Sequence, residues 1–362
     1  MIKGKNIRWS FILIIMIIIL LLYRFFIYTE LEAYMDVRGK NLSYLDLRGQ
    51  EELLYTLEFD NLTKWPGKNR MPDDFDPLKV IEYGKDPGLN IKKLHKLGYT
   101  GKNVNIAYID QPLLEGHEAY SNVNLKYYKI RSEENGMDTS MHGPAVLSLL
   151  AGAEIGVAPE ANVYFLGHPA WLEDQRTHAE ALYKLIEINK SLPEDQKIKV
   201  VGFSDSPDER ENYIDDYKKA IIEAEKNNIM VIDVTTFNYL PLLIKPYKDK
   251  DDYRNYETAQ WAKGFIENDS FGVPTGARTT ADGHKSIKNK YAYWTNGGLS
   301  WAVPYVVGTI ALGLQVDPDL TKEEAVKYLL DSGYDFQGGK IINPEGFIEM
   351  VKKNASHAKS TP

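Results

Sequence analysis

Val104-Asn-Ile-Ala-Tyr-Ile-Asp110-Gln-Pro112 is a short, mostly apolar run that ends on a carboxylate. Residues 104–109 read as a buried strand, and Asp110 then stands at its carboxyl end, where open α/β sheets gather their active sites. Taken alone, Asp110 is as well explained as a turn former. Its company gives it weight. Thirty-two positions later comes His142-Gly-Pro-Ala-Val-Leu, and 158 positions beyond that Ser300 stands inside Gly297-Gly-Leu-Ser-Trp-Ala-Val-Pro304. A glycine after His142 permits close backbone approach, and the apolar helix that follows would carry the imidazole to the rim of the sheet beside Asp110.

Around this run the pattern is strand alternating with helix. Residues 104–109, 162–166, 198–203 and 229–234 read as buried strands, and 143–150, 177–189 and 213–226 as helices between them. Such alternation predicts an α/β fold of three layers, with a mostly parallel central sheet. Residues 241–290 read as loop-rich and charged, followed by closing helices at 299–315, 322–331 and 344–352 and a disordered tail over 354–362. Ser300 falls near the start of an apolar helix whose small residues Ala302, Gly308, Ala311 and Gly313 allow close packing. Unsatisfied amides and the helix dipole favour negative charge there, so the Ser300 amide can act as an oxyanion donor; serine as a simple helix cap is the competing reading. Pro304 is read as part of the first turn.

The chain has 362 residues, a formal charge of −8 and no cysteine. The acidic balance argues against nonspecific nucleic-acid binding, and the missing thiols exclude disulfides, cysteine nucleophiles and thiolate metal sites. Residues 10–28 are apolar except for Arg24 near the end, long enough to span a bilayer. Lys3, Lys5 and Arg8 precede them and Glu30, Glu32 and Asp36 follow. The positive-inside rule therefore makes 1–9 a cytoplasmic tail, 10–28 an uncleaved single-pass anchor in the cell membrane, and the remainder extracytoplasmic. Residues 29–93, with Asp36-Val-Arg-Gly and Asp46-Leu-Arg-Gly, are expected to be a stalk, a pro-segment-like extension or a structural wrap.

The order Asp, His, Ser matters, because unrelated hydrolases reach one triad geometry through different chain orders. With Gly98-Tyr-Thr-Gly-Lys-Asn-Val104 before the first strand and Gly156-Val-Ala-Pro-Glu-Ala161 after the His142 helix, the chain resembles the subtilase family over residues 94–353. The resemblance implies a subtilisin-like serine endopeptidase acting on a peptide or protein substrate. Asp110 would orient His142, His142 would be general base and then acid, and Ser300 would be the nucleophile. It also implies an oxyanion asparagine just after strand 229–234, where the chain has Thr235-Thr-Phe-Asn238; Asn238 could serve after a loop adjustment, or Thr235 or Thr236 could donate a hydroxyl. Ser204-Asp205-Ser206 stands where the family binds substrate, and Asp205 there is either a recognition site for a positive residue or a surface turn acid.

Departures from the family pattern surround the triad: Gln111-Pro112 follows Asp110, Pro144-Ala145 follows His142-Gly143, and Leu299 and Trp301 flank Ser300. They keep open a second reading, a catalytically impaired fold serving as a binding or regulatory module. No cofactor is expected. No metal is expected either: the Ala153-Glu-Ile155 loop is too short to present oxygen ligands, and His117, His168, His178 and His284 are scattered along the chain.

Overall fold

The structure, a computed structural model, describes residues 14–17, 31–131, 139–172 and 175–358. Of the anchor read over 10–28, only Ile14 to Ile17 fall among them, helical and exposed; the rest lies outside the described residues, as do 359–362.

The chain begins its packed part with α1 (Glu51–Leu54), β1 (Phe59–Asp60), α2 (Pro77–Lys85) and α3 (Ile91–Lys96). There follow β2 (Asn105–Asp110), β3 (Asn124–Lys129), α4 (His142–Ala151), β4 (Asn162–Gly167), α5 (Arg176–Ser191), β5 (Val200–Phe203), α6 (Ile214–Lys226) and β6 (Met230–Ile232). These five strands, β2 to β6, form a parallel sheet in the order β3-β4-β2-β5-β6. Every residue of β2 is buried, because helices cover both faces, and this is why its sequence is a nearly continuous apolar run. Ala107, Ile109, Leu166, Val201 and Phe203 pack with α5 and α6 on one side; Ile106, Tyr108, Phe165 and Val200 pack with α4 and the later helix 299–316 on the other. The three-layer expectation therefore holds.

The second half departs from expectation. Residues 241–290, read as loop, carry most of β7 (Tyr239–Ile244) and all of β8 (Tyr256–Thr258), β9 (Phe271–Pro274) and β10 (Arg278–Ala281). With β11 (Tyr291–Trp294), β12 (Tyr334–Phe336) and β13 (Gly339–Ile341) they build two further sheets, β12-β13-β9-β7-β8 and the antiparallel β1-β11-β10. Strands of three to six residues broken by charged turns leave no periodic signal long enough to read. The helices α7 (Leu299–Val316), α8 (Lys322–Ser332) and α9 (Pro344–Ala358) close the domain, and α9 continues past 352 through five of the residues expected to be a disordered tail. Among the described residues α7 is the one helix long and apolar enough to cross a membrane; it is buried from Trp301 to Leu314 and packs on β5, β7 and β9.

Residues 31–93 are not a detached stalk. Val37, Leu42 and Leu47, five positions apart, are all buried, and each starts the same turn, its carbonyl accepting the amide three residues on. The residue before each, Asp36, Asn41 and Asp46, accepts the amide two positions on with its side chain. The two Asp-x-Arg-Gly tetrapeptides are thus two turns of one five-residue coil, closed by Gly39 and Gly49 at φ +66° and +72°. This segment shares the main core: Phe59 packs on Trp65 and Tyr293, and β1 hydrogen-bonds to β11. Buried Lys290 joins Asp60 of the extension to Asp282 at 3.3 and 2.7 Å.

Candidate active site

Asp110 ends β2 with only 5% of its side chain exposed. One of its oxygens, Oδ1, accepts the Gln111 amide at 2.8 Å and the His142 Nδ1 hydrogen at 2.6 Å. His142 opens α4, and the approach it needs is permitted by Gly143, where a Cβ would come within 2.0 Å of the Gln111 carbonyl oxygen. The imidazole keeps 21% exposure. Burial pulls its pKa down, but the charge and hydrogen bond of Asp110, with a further contribution from Asp205, outweigh this and hold it above the ordinary histidine value. With Nδ1 committed to Asp110, Nε2 is the nitrogen left for chemistry.

Ser300 is the second residue of α7, whose N-cap is Gly298. Glycine has no side chain to cap the helix, and Trp301 N–H folds back to the Gly298 carbonyl, so the Leu299 and Ser300 amides have no partner within the helix. A Cβ on Gly298 would meet nothing within 4 Å, so the space in front of this end is open. Gly297, by contrast, has φ +61° and lies so close to the Thr275 carbonyl that a side chain would collide with it. The Trp301 ring lies 5.2 Å from that of His142 and 5.5 Å from Trp294. Over Trp294 sits Arg38 of the extension, 4.0 Å from the ring. Among the described residues no hydrogen bond joins the Ser300 hydroxyl to His142; such contacts often tighten only when substrate is bound.

Pro304 lies in the second turn of α7 and not the first as read from the sequence, because the helix starts at Leu299 and Pro304 is its sixth residue. Proline has no N–H, so the Ser300 carbonyl loses its intrahelical donor. Ser204, just past β5, supplies the missing bond: its hydroxyl donates to the Ser300 carbonyl at 2.9 Å and meets the Tyr108 hydroxyl at 2.6 Å. One serine therefore ties the first turn of α7 to the strand that carries Asp110.

No protein-family model matches the sequence, and no curated protein matches it at a significant level. Solved structures do. The chain is similar to MycP1 with its N-terminal propeptide removed, at 15% identity over 74% of this chain and 96% of that one, with a TM-score of 0.50. It is similar to the nisin leader peptidase NisP from Lactococcus lactis at 16% identity, over 75% of this chain and 94% of that one, with a TM-score of 0.51. Fervidolysin from Fervidobacterium pennivorans, a keratinolytic enzyme related to subtilisin, matches at 17% identity over 75% of this chain and 47% of its own, with a TM-score of 0.54. This is a divergent subtilase-fold protein.

On the subtilase fold the remaining expected residues fall apart into two groups. Asn238 is not an oxyanion donor in this arrangement. Its amide nitrogen donates to Glu267 and Asp269 at 3.1 and 2.9 Å, which uses both hydrogens, beside a groove lined by Thr236, Asn268 and Gly338. The alternatives fare the same way, since the Thr235 and Thr236 hydroxyls both donate to Asp233. The side-chain donors between β6 and β7 are thus taken by Glu267 and Asp269 from another loop and by Asp233 within the same segment. Asp205 does stand at the site. It follows Ser204 directly, and its charge and that of His142 act on one another. Burial raises its pKa, yet the hydrogen bond and charge of His178 bring it below the usual aspartate value. His178 was one of the scattered histidines; only the juxtaposition of α5 with the end of β5 reveals it as a partner, and no sequence spacing announces it.

Proposed function

We propose that this protein is a serine endopeptidase held at the cell membrane by residues 10–28, with Asp110, His142 and Ser300 as its triad and peptides or proteins outside the membrane as substrates. The observation that carries the reading is the 2.6 Å bond from His142 to buried Asp110, made in a subtilase fold whose helix α7 presents Ser300 at an uncapped end. Ser300 Oγ attacks the substrate carbonyl carbon while His142 Nε2 takes its proton. The negative oxygen then meets the free amides at the start of α7. The carbon–nitrogen bond breaks as Nε2 returns the proton to the leaving amine; water, deprotonated by the same nitrogen, then attacks the acyl ester, and Nε2 passes that proton to Ser300 Oγ as the carbon–oxygen bond breaks. Ser204 and Asp205 serve substrate binding in this reading, Ser204 through its backbone because its hydroxyl braces Ser300.

The loss of an asparagine donor favours a second reading, a silent subtilase fold that binds peptides without cutting them. Incubating the detergent-solubilised full chain with a peptide library and sequencing the products separates the two. The peptidase reading expects cleavage that Ser300→Ala abolishes; uncut peptides with a folded protein would leave the binding module.

A further inference from the structure

A second carboxylate–imidazole pair stands beside the first with its burial reversed. Asp205 Oδ2 accepts the His178 Nε2 hydrogen at 3.0 Å; the aspartate side chain is 53% exposed and the imidazole 4%. The other oxygen, Oδ1, accepts the Ser206 amide at 2.8 Å. His178 is fixed on every side, against His168 at 4.4 Å, Tyr217 at 5.1 Å and Phe203 at 5.8 Å. Its Nδ1 is buried and has no hydrogen-bond partner among the described residues. Among the described residues the one hydrogen bond His178 makes is therefore to Asp205, and it fixes the orientation of that carboxylate.

Four other aspartates show the alternative. Asp36, Asp46, Asp208 and Asp252 are each closed off by an arginine two residues on, through paired hydrogen bonds to Arg38, Arg48, Arg210 and Arg254. Asp205 has Ser206 and Pro207 there instead. One side is held by a buried histidine and the other is open, close enough to His142 for their charges to act on one another and one residue from the serine that braces Ser300. An oriented, half-open carboxylate without an arginine of its own is complementary to a cation brought by the ligand.

We propose that Asp205, positioned by His178, is an anionic subsite that binds a lysine or arginine side chain of the peptide substrate. The inference rests on the peptidase reading of the same cleft. The test digests a proteome-derived peptide library with the solubilised full chain and maps the cut sites by mass spectrometry. Lysine or arginine should be enriched about tenfold or more at one fixed position relative to the cut, the discrimination expected of a site that pairs a charge. Asp205→Asn should erase the enrichment, and Asp205→Lys should replace it with aspartate or glutamate at that position. No basic enrichment in the unaltered protein, or enrichment that survives Asp205→Asn, overturns the subsite. So does a folded Asp205→Asn protein that no longer reacts with a fluorophosphonate, because the residue would then be supporting the nucleophile itself. Fluorophosphonate labelling also separates the two levels. A labelled but unselective enzyme loses the subsite alone, whereas an unlabelled, uncutting but folded protein loses the peptidase reading and the subsite together.

Discussion

Asp110–His142 and Asp205–His178 are the same two side-chain types at similar distances, and they differ in which partner faces water. In the first the carboxylate is buried and the imidazole is open; in the second the imidazole is buried and the carboxylate is open. Whichever member is buried acts as the fixed orienting group, and the exposed member is what a ligand meets. In the peptidase reading proposed above, a buried aspartate thus holds a base for proton transfer, while a buried histidine holds a charge for recognition. The distinction comes from backbone placement: Asp110 ends the central strand under α4, whereas Asp205 lies two residues past the end of β5.

Breaking the first pair should have the largest consequence. Asp110→Asn is expected to lower kcat by roughly ten-thousandfold, since the imidazole loses both its orientation and the charge that stabilises its protonated form. The same charge sets the pH profile. Because the pKa of His142 is raised, the unaltered enzyme should lose activity as pH falls through a midpoint above the ordinary histidine value, and Asp110→Asn should move that midpoint to lower pH. A profile whose acid limb does not move on this substitution would contradict the pairing.

The brace that joins the two pairs comes next. Ser204→Ala leaves the Ser300 carbonyl without a donor and should cost about 1–3 kcal/mol in stability, measured by denaturant unfolding. Adding Pro304→Ala returns a backbone N–H to the helix and should recover part of that loss. A double variant no more stable than Ser204→Ala would refute the account of why Ser204 is bonded there.

Asn238→Ala sharpens the comparison by what it spares. A true oxyanion asparagine costs about a hundredfold to a thousandfold in kcat when removed, but with its amide committed to Glu267 and Asp269 this one should change kcat by less than about threefold. The smallest effect concerns the extension. Glu58 is pushed up to about 7 by burial, which outweighs Arg38 nearby. A carboxyl whose folded pKa is raised loses stability as pH climbs from its unfolded value through the folded one. Glu58→Gln should therefore raise Tm by a few degrees at pH 8 and leave it nearly unchanged at pH 4; equal shifts at both would assign the gain to packing.

These expectations also mark what could be read from the sequence. Strands β2, β4, β5 and β6 were legible because burial on both faces leaves continuous apolar runs, and the helices between them because their apolar faces repeat. β3 escaped notice since its pattern, Asn-Leu-Lys-Tyr-Tyr-Lys, belongs to a largely exposed sheet edge. The coil of residues 36–49 has a period of five, which matches neither a strand nor a helix, so Val37, Leu42 and Leu47 looked like isolated apolar residues in a polar segment. At the site, Asp110, His142 and Ser300 were visible through their order and flanking motifs. The Asp205–His178 pair was not, because residues 27 positions apart on a helix and a loop meet only through the packing of α5 against the sheet. Asn238 was misjudged for the opposite reason: its position along the chain was nearly right, but the competing carboxylates of Glu267 and Asp269 come from a loop thirty residues away that carries no pattern.

The measurement that tests the central claim most directly is active-site labelling of the full-length protein with a fluorophosphonate, followed by peptide mapping of the adduct across a pH series. The account predicts a single adduct on Ser300, absent in Ser300→Ala and in His142→Ala, whose rate of formation rises with pH as His142 loses its proton. A folded protein that forms no adduct, or forms it on another residue, would contradict it.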